Sequence, residues 1–178
     1  MRSKYSFTDY NPEWPKEFEL EAARLRALLG SEVVAIYHIG STSVPGLAAK
    51  SVIDLLPAVR EITRIDDLAP VFEQAGYHAW GEYGIPGRRY FTKDRGKVRT
   101  HNVHIFQEGD PGIERHLAFS EYLKSHVEVR EEYAALKREV FARHPSDMSA
   151  YNDGKDAWIK RTEKLALEWY RQQAGRAE

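Results

Sequence analysis

Two short apolar segments joined by a loop of small and hydroxyl-bearing residues constrain the fold of this chain more than any other feature. Residues 33–39 and 51–59 are rich in aliphatic and β-branched side chains, which is typical of strands in a buried sheet. The second segment carries a single carboxylate, Asp54. Because an acid inside an apolar strand requires hydrogen-bonding or charged partners, the pattern predicts a sheet with a polar site on one face.

The loop between these segments has the composition of an anion-binding site. Gly40 allows the backbone to approach a ligand closely, and Ser41, Thr42 and Ser43 bring hydroxyl groups next to backbone N–H donors. Lys50 adds a positive charge near the end of the loop. We therefore predict that these five residues bind phosphate. The alternative is an ordinary connection whose hydroxyl groups cap the next turn, with the lysine at the surface.

Asp54 is the main candidate for a catalytic residue. Side chains alternate between the two faces of a strand, so Asp54 and Leu56 are predicted to share one face. There Asp54 could hold a divalent metal such as Mg²⁺ or take a proton. Asn102 and His104, two residues apart in the predicted strand 98–107, would face one way together and complete the site. The alternatives are a buried structural acid and a hydrogen-bonded core histidine.

Three further basic residues are candidates for phosphate binding. Arg88 and Arg89 follow a Gly-Ile-Pro-Gly turn at the start of a predicted strand, and strand alternation allows only one of them to face Asp54. Lys155 lies in a predicted helix, from which it would close the pocket from above. The alternatives are a solvent-exposed arginine and a charged surface helix. The charged segment 130–139, in contrast, is predicted to be a solvated helix face with paired charges.

Length and composition limit the function classes. The chain has 178 residues and a net charge of −1 from 26 basic and 27 acidic side chains, so no overall charge points to nucleic acid or to an anionic membrane. It contains no cysteine, which excludes disulfides and thiolate metal sites. No segment approaches the roughly 18 apolar residues of a membrane span. We therefore expect a cytoplasmic protein that binds a small molecule.

Hydrophobic periodicity and turn residues divide the chain into helices and strands. Helices are predicted for residues 11–30, 65–75, 113–125, 128–143 and 150–173, and strands for residues 33–39, 51–59, 77–80, 89–93 and 98–107. The predicted fold is α+β, with a twisted, mostly antiparallel mixed sheet backed by helices. We expect one domain over residues 1–178, with a sheet-containing core to about residue 111 and a C-terminal helical layer at about 112–173.

Three segments of the chain resemble the GrpB family, which is usually placed in the nucleotidyltransferase superfamily. They are residues 38–56, 83–91 and 101–105, and the similarity extends over nearly the whole chain. The resemblance implies that the mixed sheet is of nucleotidyltransferase type.

The resemblance also implies where a site would lie. Nucleotidyltransferases of the superfamily carry a Gly-Ser pair followed by two acids one residue apart, which bind the metals that hold a triphosphate. Gly40, Ser41 and Asp54 match that pattern, but Leu56 occupies the position of the second acid. A third acid commonly lies on another strand, and the predicted strand 98–107 contains none.

By this resemblance, the expected function is binding of a nucleotide or another phosphate ester, with metal-dependent nucleotidyl transfer as the reaction. The loop from Gly40 to Ser43 would hold the triphosphate, Asp54 a Mg²⁺ ion, and Lys50 with an arginine would offset charge on the departing pyrophosphate. The alternative is a non-catalytic accessory domain, a degenerate nucleotidyltransferase linked to coenzyme A metabolism, because GrpB-like domains also occur joined to dephospho-CoA kinase. A metal-dependent hydrolase that uses Asp54 and His104 is a third hypothesis.

Overall fold

Residues 6–175, which the computed structural model describes, form seven strands and five α-helices. In chain order the elements are β1 (Phe7–Thr8), α1 (Trp14–Leu29), β2 (Val33–Ile39), β3 (Ala49–Lys50), β4 (Ile53–Val59), α2 (Arg64–Gln74), β5 (Tyr77–Ala79), β6 (Arg89–Arg95), β7 (Val98–Gln107), α3 (Pro111–Ser125), α4 (Val127–Arg143) and α5 (Met148–Ala174). The predicted α+β class is confirmed. None of the helices in this part of the chain has the length and apolar character needed to cross a bilayer.

Five strands form one mixed sheet in the order β2-β4-β7-β6-β5. All neighbouring strands are antiparallel except β4 and β7, which run parallel and bring Asp54 into register with Asn102. The strands β1 and β3 pair separately as an antiparallel ribbon. Strands β6 and β7 form an antiparallel hairpin, and the predicted mostly antiparallel sheet is confirmed.

Helices cover both faces of the sheet. On one face, α1 and α2 pack against a core that includes Trp14, Leu55 and Phe72. On the other face, Leu56 and Phe106 belong to a smaller apolar cluster against which α3 packs, and α4 and α5 lie beyond it. The two consecutive leucines of β4 thus lie on opposite faces, as strand alternation predicts.

The first helix begins later than predicted, at Trp14 instead of Asn11. The Asn11 side chain accepts a hydrogen bond from the N–H of Glu13 at 2.9 Å, and its carbonyl accepts one from the N–H of Trp14 at 3.1 Å. Asn11 and Pro12 therefore form the turn before the helix. Pro15 takes the position in the first helical turn that suits a residue without an N–H.

The second predicted strand also begins later, at Ile53 instead of residue 51. Ala49 and Lys50 instead pair with Phe7 and Thr8, and the N–H of Val52 donates to the carbonyl of Lys50 at 2.8 Å. This local hydrogen bond makes a turn that interrupts the extended chain. The lysine is therefore held by its own short strand beside the sheet.

A buried acid on α1, Glu21, lies on the face of the sheet away from Asp54. Its side chain is 1% exposed and accepts hydrogen bonds from the hydroxyl of Tyr77 and from Lys93 Nζ, the latter at 2.7 Å. Burial alone would raise its pKa, but the hydrogen bonds from Lys93 and Tyr77 outweigh burial and lower the pKa to about 2. The network joins α1 to β5 and β6 and belongs to the core, not to a cleft.

Candidate functional site

A cleft of about 300 Å³ lies between the sheet and the helical layer formed by α3, α4 and α5. The loop after β2, the strands β3, β4, β6 and β7, and all three helices contribute side chains to its wall. Four of these side chains are cationic and one is a carboxylate. The charged residues are Lys50, Arg99, Lys137, Lys155 and Asp54.

Asp54 lies on β4 and is held by two donors from the parallel strand β7. Its Oδ1 atom accepts hydrogen bonds from Asn102 Nδ2 at 3.0 Å and from His104 Nε2 at 3.2 Å. Burial by itself raises the pKa of this carboxyl, but the bond from His104, the bond from Asn102 and the charge of Lys50 together lower it below its usual value. Asp54 is therefore ionised at neutral pH, with its side chain one-quarter exposed.

His104 is held in one tautomer by Arg88. Arg88 is only 6% exposed, and its Nη1 atom lies 3.3 Å from His104 Nδ1. Because a guanidinium can only donate, Nδ1 accepts this bond, and the ring proton of neutral His104 lies on Nε2, which donates to Asp54. Arg88 also donates to the carbonyls of Glu82 and Tyr83. Arg88, which we predicted to bind phosphate, therefore contacts His104 and does not line the cleft.

Gly40 makes the closest approach of the loop to the acid. Its φ of +71° lies in the left-handed region, and a Cβ atom at this position would be 2.8 Å from Asp54 Oδ2. Ser41 and Thr42 follow in a single 3₁₀ turn and line the cleft, with Thr42 Oγ1 2.9 Å from His38 Nε2. The Ser43 hydroxyl instead donates to the Gly40 carbonyl at 2.6 Å and lies outside the cleft. The predicted phosphate ligand Ser43 therefore does not line this cleft.

Lys137 is the main residue that sequence reasoning missed. It is 2% exposed, its Nζ atom donates to Ser41 Oγ at 2.9 Å, and it lies 4.5 Å from the centre of the Tyr133 ring. The prediction of a solvated face for 130–139 is wrong at this residue. A signal was present, since Tyr133, Lys137 and Val140 are spaced so that they share the buried face of α4.

Lys155 and Lys50 meet at the ring of Tyr151. Lys155 Nζ lies 4.1 Å and Lys50 Nζ 4.7 Å from the ring centre, and Lys50 Nζ also lies 3.0 Å from Met148 Sδ. Burial and the charge of Lys50 lower the pKa of Lys155 to about 7, and burial lowers that of Lys50 to about 8. Burial also holds the pKa of Lys137 well below its usual value. The structure thus gathers three lysines whose charged forms are costly without an anion.

Arg89 lies on the other side of the sheet from this cleft. Its guanidinium donates to both carboxylate oxygens of Asp66, at 2.6 and 2.9 Å, so this predicted phosphate ligand is paired with a carboxylate outside the cleft. The arginine in the cleft is Arg99, whose Nη1 atom donates to Asn102 Oδ1 at 3.2 Å. Strand alternation did not indicate Arg99, because the register between β6 and β7 shifts after Lys93 and the bulge changes which side chains share a face.

The donor set around Asp54 does not fit a resident Mg²⁺ ion. One carboxylate oxygen already accepts two hydrogen bonds, and Leu56, at the position of a second acid, is fully buried in an apolar cluster. Residues 6–175 contain no group of three or more His, Cys, Asp or Glu side chains that could hold a metal. Mg²⁺ requires several oxygen ligands in octahedral geometry, and the cleft supplies cations where those ligands would be needed.

Comparisons with known sequences match nearly the whole chain. A family model described as GrpB protein matches residues 4–165. The UPF0157 protein YqkA of Bacillus subtilis is 46% identical over 160 residues, which are 90% of this chain and 46% of that protein. A dephospho-CoA kinase of Mycolicibacterium paratuberculosis is 29% identical over 185 residues, 89% of this chain and 45% of the kinase. The chain therefore spans about half the length of these relatives.

Comparisons with solved structures show the same fold. The crystal structure of GrpB from Enterococcus faecalis superimposes with a TM-score of 0.89 at 44% identity, over 93% of this chain and 99% of that one. A mutant of the Cid1 poly(U) polymerase bound to MgATP superimposes with a TM-score of 0.51 at 16% identity, over 83% of this chain and 50% of the polymerase. The fold is therefore nucleotidyltransferase-like.

Proposed function

The chain belongs to the GrpB family, and from that premise we propose that its cationic cleft binds a nucleotide or a closely related phosphate ester. The observation that carries this proposal is the convergence of three lysines and one arginine on a cleft with a single carboxylate. Ammonium and guanidinium groups are the side chains that bind phosphate through charge-assisted hydrogen bonds. The volume of about 300 Å³ lies at the lower end for small-molecule sites.

The contacts of the buried lysines favour an anionic ligand over a structural role. Within residues 6–175, Lys137 contacts the Ser41 hydroxyl and a tyrosine ring, and Lys155 contacts a tyrosine ring, so neither forms an ion pair with a carboxylate. A buried cation without an opposite charge is unfavourable. A bound phosphate would supply that charge, and Asp54 would accept a hydrogen bond from a hydroxyl group of the same ligand.

Nucleotidyl transfer is a second candidate function. It is favoured by the close approach of Gly40 to Asp54, because these are the loop and the acid that match the nucleotidyltransferase pattern. Leu56 in place of a second acid favours binding without turnover. Part of a dephospho-CoA kinase is similar in sequence to this chain. By analogy, coenzyme A precursors are also ligands worth testing.

A thermal-shift screen of the purified chain tests the proposal. We would measure the melting temperature with ATP, UTP, dephospho-CoA and pyrophosphate, in EDTA and in MgCl₂. A ligand at 100 times its Kd stabilises the folded state by about 2.7 kcal/mol, which raises the melting temperature by about 5–10 °C for a chain of this size. Lys155→Met should reduce the shift, whereas Lys164→Met, at an exposed position of the same helix, should retain it. The absence of a shift with every compound would overturn the proposal.

A further inference from the structure

We propose that the cleft binds its phosphate ester without a metal ion, because the ammonium groups of Lys137 and Lys155 take the role that Mg²⁺ has in metal-dependent nucleotide sites. This inference rests on the proposed function and specifies how the ligand is recognised. It follows from three features of the cleft: its charge balance, the few oxygen ligands that it offers, and the anchoring of its lysines.

The charge balance favours a polyanion and opposes a divalent cation. Four basic side chains and one carboxylate line the cleft; one of the four, Arg99, is paired with Asp94, so the three lysines carry the excess charge. The carboxylate is Asp54, and its charge is already partly compensated by hydrogen bonds from Asn102 and His104. A cation that enters this space meets repulsion from the lysines, whereas a triphosphate meets attraction that a low-dielectric cleft strengthens.

Oxygen ligands for a metal are scarce in the same space. Leu56 occupies the position of the missing second acid. It is 0% exposed and packs with Ile39 and Phe106. Asn102 Oδ1 accepts hydrogen bonds from the Tyr90 hydroxyl at 3.0 Å and from an arginine. Neither of these two positions therefore offers an open oxygen ligand to a Mg²⁺ ion beside Asp54.

The lysines are held in place before any ligand binds. Lys137 comes from α4 and donates to Ser41, which follows directly on the glycine that contacts Asp54. Lys155 comes from α5 and is fixed over the Tyr151 ring. Both are less than 10% exposed, so the cost of restricting their side chains is met during folding. Two preorganised cations on separate helices can neutralise the phosphate oxygens that a metal would otherwise bridge.

Isothermal titration calorimetry with inorganic triphosphate and with ATP tests the inference on the full chain. Each probe is titrated once in EDTA and once in excess MgCl₂. We expect the affinity in EDTA to equal or exceed that in MgCl₂, because Mg²⁺ bound to the phosphates competes with the lysines for the same oxygens. We also expect Lys137→Met and Lys155→Met to weaken binding in EDTA by about tenfold or more, as loss of a charge-assisted contact does.

Two further variants separate a lysine site from a metal site. Lys164→Met removes an exposed charge from the helix that carries Lys155, and it should leave the affinity within about twofold of the unchanged chain. Asp54→Asn keeps the size of the side chain but removes the negative charge. The lysine site predicts equal or tighter triphosphate binding by Asp54→Asn in EDTA. A metal site predicts no binding by either chain in EDTA, and loss of binding by Asp54→Asn in MgCl₂. Melting curves of each variant confirm that it is folded.

The outcomes distinguish this inference from the proposed function. Binding that requires MgCl₂ and is lost in Asp54→Asn would overturn the inference and leave phosphate-ester binding intact. Binding in EDTA that is unchanged in both Lys137→Met and Lys155→Met would also overturn it. If neither probe nor any other phosphate ester binds under either condition, both proposals are wrong.

Discussion

Lys155 shows at the scale of one residue how packing changes the chemistry of a side chain. Burial and the charge of Lys50, partly opposed by Asp54, lower its pKa to about 7. Lys137 also faces the same space from α4, and Tyr151 covers the ammonium group from the preceding turn of α5. The side chain therefore titrates near neutral pH, whereas an exposed lysine, with a pKa of about 10.4, is fully charged there.

The stability of the ligand-free chain should rise between about pH 7 and pH 10. In this range the folded state holds Lys155 neutral while the unfolded state binds its proton, so the unfolded state carries more protons and the free energy of unfolding increases with pH. Urea unfolding at several pH values measures the rise. Lys155→Met should be more stable than the unchanged chain below pH 7, by a margin that shrinks as the pH increases.

The affinity for phosphate should decrease as the pH rises, because deprotonated lysines no longer attract an anion. Lys164→Met serves as the control and should keep the pH dependence of the unchanged chain. Parallel stability curves for the unchanged chain and Lys155→Met would contradict the assigned pKa.

At the scale of the element, β4 carries the strongest agreement between sequence and structure. Alternation along the strand predicted that Asp54 and Leu56 share a face, and both point to the side covered by the C-terminal helices. The two positions nevertheless differ in environment. Asp54 opens to the cleft, whereas Leu56 is sealed between Ile39 and Phe106. A shared face therefore does not mean a shared site.

Leu56→Asp should destabilise the chain without restoring a metal site. The substitution places a carboxylate in an apolar cluster with no described donor beside it, and we expect a loss of about 3–5 kcal/mol in the free energy of unfolding. Leu56→Met, which preserves volume and polarity, should cost less than about 1.5 kcal/mol. Urea denaturation measures both. Unchanged stability of Leu56→Asp together with tighter Mg²⁺ binding would show that this part of β4 opens to the cleft.

The elements that differ from prediction do so because of local turns and one β-bulge. Asn11 caps the turn before α1 instead of starting the helix, and the turn at Val52 separates β3 from β4. The bulge after Lys93 brings Arg99 into the cleft. Hydrophobic periodicity does not predict these local hydrogen-bonding patterns, because it indicates only which side chains are buried.

For the whole molecule, the cleft is the space where the sheet and the helical layer face each other. The sheet side contributes Asp54 and the Gly40 loop, and the helical side contributes the lysines of α4 and α5. Repulsion among the cations opposes close contact between these two layers when no anion is present. A bound phosphate would connect them.

Hydrogen–deuterium exchange should detect this connection. With a phosphate ester at 100 times its Kd, amides of α4 and α5 whose exchange requires opening of the cleft should slow by up to about 100-fold. Amides of β5, on the far edge of the sheet, should change little. Equal slowing throughout the chain, or slowing confined to β5 and β6, would contradict a ligand position between the layers.

The sequence by itself determined the five helices and the five strands of the main sheet to within a few residues, and the inward face of β4, but not the short strands β1 and β3. The predicted elements depend on residues within a few positions of one another, so spacing and alternation suffice to predict them. Only the tertiary structure decided which cations reach the cleft. Lys137 meets Ser41 from 96 positions away, and Arg89 turns to Asp66 on the opposite side. Charge type alone could not distinguish these residues, because the environment of a charge is set by the elements that pack around it.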